Sequence, residues 1–195
     1  NWLAAEDYIV FTIDNRGTSN RGRKFKEVIH RQYGTIEIED QLVGVEYLKS
    51  LSFIDSDRMA VHGWSYGGFM TTSLMTRTPG TFTAGVAGGP VIDWKWYEVM
   101  YGERYMDTPE ENPEGYKTAS PLTYVNDLAG KLLLIHGTVD DVVVMQHNLA
   151  FVQKCVQEGV QIDFFPYPMH PHNVSGKDRV HLMTKVLNYI MENNK

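Results

Sequence analysis

Apolar and polar positions alternate along this chain between two periods, and the alternation predicts strand followed by helix almost from end to end. Tyr8–Ile13 is a continuous β-rich apolar run, the pattern of a strand buried on both faces, and Asp14-Asn15-Arg16-Gly17 breaks it. From Ile36 to Leu51 the apolar residues Ile38, Leu42, Val45 and Leu48 recur at helical spacing, and acidic residues gather near the start, where they complement the helix dipole. A short strand is expected over Arg58–His62, a helix over Tyr66–Arg77, and a strand over Phe82–Ala87 that Gly88-Gly89-Pro90 ends. A long segment from Val91 to Thr123, rich in aromatic residues and proline, then interrupts the pattern. It resumes with a strand at Lys131–His136, a helix at Val144–Gln157, a strand at Gln161–Phe165 and a closing helix at Arg179–Met191. Such a sequence predicts an α/β fold, a mostly parallel sheet with helices on both faces, formed as one domain with one large excursion.

Composition narrows the function classes. The 195 residues suffice for one domain with a substantial core. Hydrophobic residues make up 43% and charged residues 22%, ordinary for a globular protein, and the formal net charge is -6. That balance argues against a nucleic-acid partner, which needs a clustered positive surface. The densest basic stretch, Arg16–Lys26, is interleaved with Gly, Ser, Thr and Asn and is expected to be a solvated loop. No apolar run approaches the roughly 20 residues needed to span a membrane. The one cysteine, Cys155, lies in an apolar helical pattern and is expected to be a buried, inert thiol.

The chemistry is concentrated at Gly63-Trp64-Ser65-Tyr66-Gly67. This is the pattern of a nucleophile elbow, and it stands between a predicted strand and a predicted helix, as that motif requires. The turn holds the serine in a strained backbone conformation, and small residues two before and two after let the backbone close on itself. Ser65 then stands at the carboxyl edge of the sheet and the positive end of a helix.

A serine needs a base, and the base needs a carboxylate to orient it. Past the Lys131–His136 strand come Asp140 and Asp141; Asp140 comes first after the turn, and Asp141 is expected to cap the next helix. After the last strand, the loop Pro166–Gly176 holds His170 and His172, and the residues alone do not decide between them, although His172 is preferred. His62 and His136, at strand ends, are expected to be buried and hydrogen-bonded; His30, His147 and His181 are expected to be surface or supporting groups. No pair has metal-ligand spacing, so neither a metal nor another cofactor is expected.

Three stretches carry a family resemblance. They are Gly63-Trp64-Ser65-Tyr66-Gly67-Gly68-Phe69, Leu134-Ile135-His136-Gly137-Thr138-Val139-Asp140-Asp141, and Tyr101-Gly102-Glu103-Arg104-Tyr105. Together they resemble the dipeptidyl peptidase IV branch of the prolyl oligopeptidase family. Val61–Trp94 and the loop around Tyr167-Pro168 and His172-Asn173-Val174 are similar to the bacterial prolyl tripeptidyl aminopeptidases. The resemblance extends over essentially the whole chain. It implies an α/β-hydrolase fold and release of N-terminal di- or tripeptides after proline by acyl transfer to serine. It puts Ser65, Asp140 and His172 on the triad, the backbone N–H of Tyr66 on one oxyanion donor, and Tyr66, Val91, Trp94, Tyr97, Tyr101 and Val143 around the substrate's proline ring. Independently, Trp94, Tyr97, Tyr101 and Tyr105 recur at helical spacing and predict one aromatic face.

The sequence departs from the dipeptidyl pattern at Val142, where an asparagine is expected two residues after the triad aspartate; this favours tripeptides. One strand and one helix precede the elbow strand, where the fold calls for several strands. Residues 1–195 are therefore expected to be a catalytic domain without its first strands, without the tyrosine hydroxyl that supplies a second oxyanion donor, and without the family's β-propeller. Losing one oxyanion donor typically costs about 100- to 1000-fold in turnover, so the chain by itself is expected to be weak or inactive. The resemblance further implies an exported bacterial parent, a homodimer formed partly through Arg179–Met191, and peptide partners with proline at the cleavage position. A carboxylesterase with the same elbow, or a non-catalytic binding protein on the same fold, are the alternatives.

Overall fold

The computed structural model describes residues 2–195. Four strands, β1 (Ala60–Trp64), β2 (Ala84–Gly88), β3 (Lys131–Gly137) and β4 (Asp163–Tyr167), form one parallel sheet in the order β1-β2-β3-β4. Two short helices, α1 (Trp2–Ala5) and α2 (Arg23–Glu27), precede α3 (Ile36–Lys49). The helices α4 (Tyr66–Arg77), α5 (Val99–Met106), α6 (Pro113–Ala119), α7 (Gln146–Glu158) and α8 (Asp178–Asn193) follow. The expected α/β architecture is present.

Strand periodicity divides the core. Side chains alternate across a strand, so neighbours on β3 face opposite sides of the sheet. Leu132 and Leu134 pack with Ile38 and Val45 of α3, Leu74 and Met75 of α4, and Phe151 and Cys155 of α7. Leu133 and Ile135 pack on the other face with Leu182, Val186 and Ile190 of α8. Leu42 and Leu48 of α3 also lie against the first layer, so the predicted apolar stripe of that helix is the buried one. Cys155 is 1% exposed, as its helical pattern predicts.

Five expectations need correction. Tyr8–Ile13 is not a strand: it pairs with nothing among the described residues, and Ile9, Val10 and Phe11 are 57%, 64% and 41% exposed. An apolar run becomes a strand only where a neighbour takes up its backbone N–H and C=O groups. Here a cleft of about 880 Å³ is lined by this segment and by Ala60, Val61 and His62 of β1, which is the edge of the sheet. For the same reason His62 is exposed to that cleft rather than buried, although its Nδ1 donates to the Val86 carbonyl at 2.8 Å.

The basic stretch is also more structured than a solvated loop. Residues 23–27 are helical, and the Arg16 guanidinium grips Asp40 of α3 with Nε 2.9 Å from Oδ2 and Nη2 2.6 Å from Oδ1. Asp141 does not cap α7, whose first residue is Gln146 and whose N-cap is Met145. The aromatic residues do not share one helix: Trp94 lies in a 3₁₀ turn (Trp94–Trp96), Tyr97 is extended, and only Tyr101 and Tyr105 ride on α5. Pro90 and the Asp93 side chain, which accepts from the Lys95 N–H, shape the chain before that turn in a way spacing alone does not reveal.

Candidate active site

The four strand ends deliver the site. Ser65 follows β1, Gly89–Val91 follow β2, Asp140 follows β3 and His172 follows β4, all at the carboxyl edge of the sheet, where open α/β folds bind their ligands. Ser65 has φ 61° and ψ -118°, a left-handed conformation that costs a non-glycine residue about 1–3 kcal/mol. It is held there by its own N–H, which donates to Gly88 O at 2.7 Å, and by its carbonyl, which accepts from Phe69 N at 2.9 Å. The turn is tight enough that a Cβ on Gly63 would come within 2.2 Å of the Gly67 carbonyl oxygen, so the first glycine of the motif is a steric requirement.

Asp140 and His172, 32 residues apart, meet. His172 Nδ1 lies 2.7 Å from Asp140 Oδ2, and the other carboxylate oxygen, Oδ1, accepts from the backbone N–H groups of Val142 and Val143, each at 2.9 Å. Burial by itself would raise the Asp140 carboxyl. Hydrogen bonds from His136 and His172, with those from Val143 and Val142, instead hold it well below the usual carboxylate range. The carboxylate is therefore ionised, and His172 presents Nδ1–H to it, which leaves Nε2 as the basic nitrogen.

The two loops are laced together. Thr138 N donates to Tyr167 O at 3.0 Å, Val139 N to His170 O at 3.1 Å, and Met169 N to Thr138 Oγ1 at 2.8 Å. A Cβ on Gly137 would stand 2.3 Å from the carbonyl oxygens of His170 and Pro171, so only glycine admits this approach. His170 turns away to Asp178 of α8 (Nε2 to Oδ2 3.1 Å), and Asp141 is exposed. Of each adjacent candidate pair, Asp140 and His172 are the two that touch.

The Ser65 loop reaches the same place: the Trp64 indole bonds the His172 carbonyl, and the ring of His172 packs against Gly89. No hydrogen bond joins Ser65 Oγ to the His172 ring among the described residues; such bonds are often long before substrate binds.

Beside the elbow lies an aromatic cluster. Val91, Trp94 and Val143 are buried, with Tyr66 and Tyr97 packed against them. Ring centroids are 5.5 Å apart for Tyr66–Trp94, 5.4 Å for Trp94–Tyr97 and 5.6 Å for Tyr97–Tyr101. Two residues of this region were not legible in the sequence. Tyr33, 1% exposed, sits 4.7 Å from Trp94 and 5.5 Å from Tyr66, although it comes from a loop with no periodic signal. Glu37, one of the acidic residues near the start of α3, is 1% exposed and accepts from the Tyr66 hydroxyl at 2.5 Å. Burial raises the Glu37 carboxyl, only partly offset by that bond and by backbone donors. His136 is fully buried and hydrogen-bonded, as its place at a strand end predicts, and it faces Asp140.

A parallel α/β sheet with a serine at its nucleophile elbow, and an aspartate and a histidine joined at the next rim, defines the α/β-hydrolase class. The chain belongs to the prolyl oligopeptidase family, whose model matches residues 1–195. It is similar to a protein of Bacteroides ovatus described as a dipeptidyl aminopeptidase IV, with 55% identity and a TM-score of 0.97 over 98% of this chain and 27% of that one. Porphyromonas gingivalis dipeptidyl peptidase 4 is 37% identical, with a TM-score of 0.89 over 92% of this chain and 26% of that one. Mouse (Mus musculus) dipeptidyl peptidase 8 is 37% identical over 201 residues, 99% of this chain and 22% of its own length. The chain thus spans about a fifth to a quarter of the relatives it matches. Among the described residues, no helix is long and apolar enough to cross a membrane.

Proposed function

We propose that this chain is the catalytic portion of a serine exopeptidase that removes short N-terminal peptides after proline. The observation that carries the reading is the 2.7 Å Asp140–His172 hydrogen bond beside an intact elbow at Ser65.

The geometry supports the following chemistry. Ser65 Oγ attacks the scissile carbonyl carbon while His172 Nε2 takes its proton; Asp140 stabilises the imidazolium through Nδ1–H. The tetrahedral oxyanion meets the N–H of Tyr66, the first residue of α4, which has no partner within its own helix. Collapse breaks the C–N bond, and the departing amine takes the proton from His172. A water molecule then repeats the sequence on the acyl-serine and releases the peptide, restoring Ser65.

Tyr66, Val91, Trp94, Tyr97, Tyr101 and Val143 are proposed to form the slot for the proline ring. Rigid aromatic walls suit a flat apolar ring, and their mutual contacts leave little side-chain freedom to lose on binding. Val142 is 46% exposed and offers no side-chain hydrogen bond to a substrate backbone, which favours tripeptides over dipeptides. The names of the relatives favour dipeptides, so peptide length is the sharper question. The proposal includes peptide partners with proline at the cleavage position, a homodimer formed partly through 179–191, and an exported bacterial parent.

A panel assay on the full-length protein tests the reading. Ala-Ala-Pro and Gly-Pro chromogenic amides, with matched non-prolyl amides and small esters, separate the possibilities. Prolyl-amide turnover abolished by Ser65→Ala supports it. Ester turnover without proline preference would turn the assignment to a carboxylesterase, and failure of a fluorophosphonate to label Ser65 would turn it to a binding protein.

A further inference from the structure

The triad carboxylate has a second imidazole partner. His136 is the last residue of β3 before Gly137, and it is fully buried. Its Nε2 lies 2.6 Å from the carbonyl oxygen of Val143 and 3.3 Å from Asp140 Oδ2. A carbonyl oxygen can only accept, so Nε2 carries a proton, and that one N–H faces both oxygens. Val143 in turn donates its own N–H to Asp140 Oδ1. The turn from 140 to 143 is thus closed by the Asp140 carboxylate, which accepts from its backbone N–H groups, and clamped to the sheet by the His136 side chain.

Packing alone does not call for histidine here. The other ring nitrogen, Nδ1, is buried without any hydrogen-bond partner, a cost that a phenyl ring of similar volume would avoid. What only an imidazole supplies at this point is the Nε2–H.

We propose that His136 is a positioning residue for the acid of the triad: its Nε2–H ties the Val143 carbonyl to the Asp140 carboxylate, so that the carboxylate meets His172 from a fixed direction and with part of its charge already engaged. The inference rests on the triad reading above. Its consequence is electrostatic as well as geometric. A carboxylate that loses one of its donors places more negative charge on the remaining one, so His172 holds its catalytic proton more tightly. The other titratable groups around this carboxylate are His172 from the β4–α8 loop, His147 from α7 and Tyr97 from the aromatic segment.

The test is the pH dependence of fluorophosphonate labelling of Ser65 in the full-length protein, from about pH 5 to 9. His136→Phe keeps the ring and deletes the donor; it should label about 10- to 100-fold more slowly near neutrality, with the acid limb displaced to higher pH. His136→Gln, whose amide nitrogen reaches toward the Nε2 position, should restore both the rate and the limb. Wild-type labelling by His136→Phe, or equal slowing in both variants with the acid limb unmoved, overturns the proposal, because a purely structural role would act that way. If His136→Phe fails to unfold cooperatively, His136→Asn replaces it: its amide is too short to reach Val143, so its limb should move while that of His136→Gln does not. An unmoved limb in His136→Asn also overturns the proposal. Wild-type protein that takes no label at any pH overturns the triad reading itself, and this inference with it.

Discussion

The indole N–H of Trp64 donates to the backbone carbonyl of His172 at 2.9 Å, across 108 positions of sequence. The residue before the proposed nucleophile therefore holds the loop that carries the proposed base. Trp64→Phe keeps the ring packing and removes the donor. A neutral hydrogen bond of this kind contributes about 0.5–1.5 kcal/mol, so labelling of Ser65 should slow about three- to tenfold with little change in melting temperature. A larger fall in melting temperature than in labelling rate would show that the bond stabilises the fold rather than the base.

Glu37 and Tyr66 form the second pair to test. Glu37→Gln keeps an acceptor for the Tyr66 hydroxyl, whereas Glu37→Leu leaves that hydroxyl buried and unpartnered, at a cost of about 1–3 kcal/mol. The expected result is near-normal prolyl-amide turnover in the glutamine variant and a raised KM in the leucine variant. The direction of the titration adds a second measurement. A carboxyl raised by burial binds its proton more tightly when folded, so its penalty grows as pH rises above the ordinary glutamate value. Glu37→Gln should therefore gain stability relative to wild type at neutral and alkaline pH, as read by chemical denaturation.

His147 predicts acid sensitivity. Burial, reinforced by nearby His136, pushes it down to about 4, and its Nδ1 accepts from the Ile92 N–H at 3.0 Å, a bond that needs the neutral ring. Its unfolded value is near 6.5. Between these two values the unfolded chain binds the extra proton, so this contribution is complete above about pH 6.5 and is lost as pH falls toward 4. Its size is on the order of 2–3 kcal/mol. His147→Gln should flatten the acid side of the stability curve, measured by urea unfolding across that window.

Cys155 predicts inertness. It is 1% exposed, and burial pushes its thiol up to about 11. The thiolate is the reactive form, so a maleimide should label Cys155 only after denaturation. Rapid labelling of the native protein would place the α7 face in contact with solvent.

Gly137→Ala tests the approach of the loops that carry Asp140 and His172. The added methyl would meet the carbonyl oxygens of His170 and Pro171 at 2.3 Å, and neither is a flexible side-chain end. The substitution should destabilise the protein by about 1–3 kcal/mol and displace His172 from Asp140, so labelling at Ser65 should fall by more than tenfold. Equal labelling would mean that the His172 loop can re-form its contact elsewhere.

Much of this arrangement was legible beforehand. Strand and helix periods, and the glycines around Ser65, depend on local chemistry: the alternation of Leu132 to Ile135, the apolar stripe of Ile38, Leu42, Val45 and Leu48, and the steric limits of a sharp turn at Gly63. The elbow and the α/β order follow from those alone. The resemblance selected Asp140 and His172 from their neighbours, and in the structure these two side chains lie 2.7 Å apart.

The remainder is non-local. Whether Tyr8–Ile13 forms a strand depends on a neighbour to pair with, not on its own apolar run. Whether Glu37 is solvated depends on where Tyr66 points, and whether His136 matters depends on where a turn seven residues away brings its carbonyl and carboxylate. Residue type and spacing determine which conformations each segment prefers, because those preferences are short-range. Burial, the partner of each polar atom and the ionisation it enforces belong to the packed chain, since they are set by groups that only folding brings together.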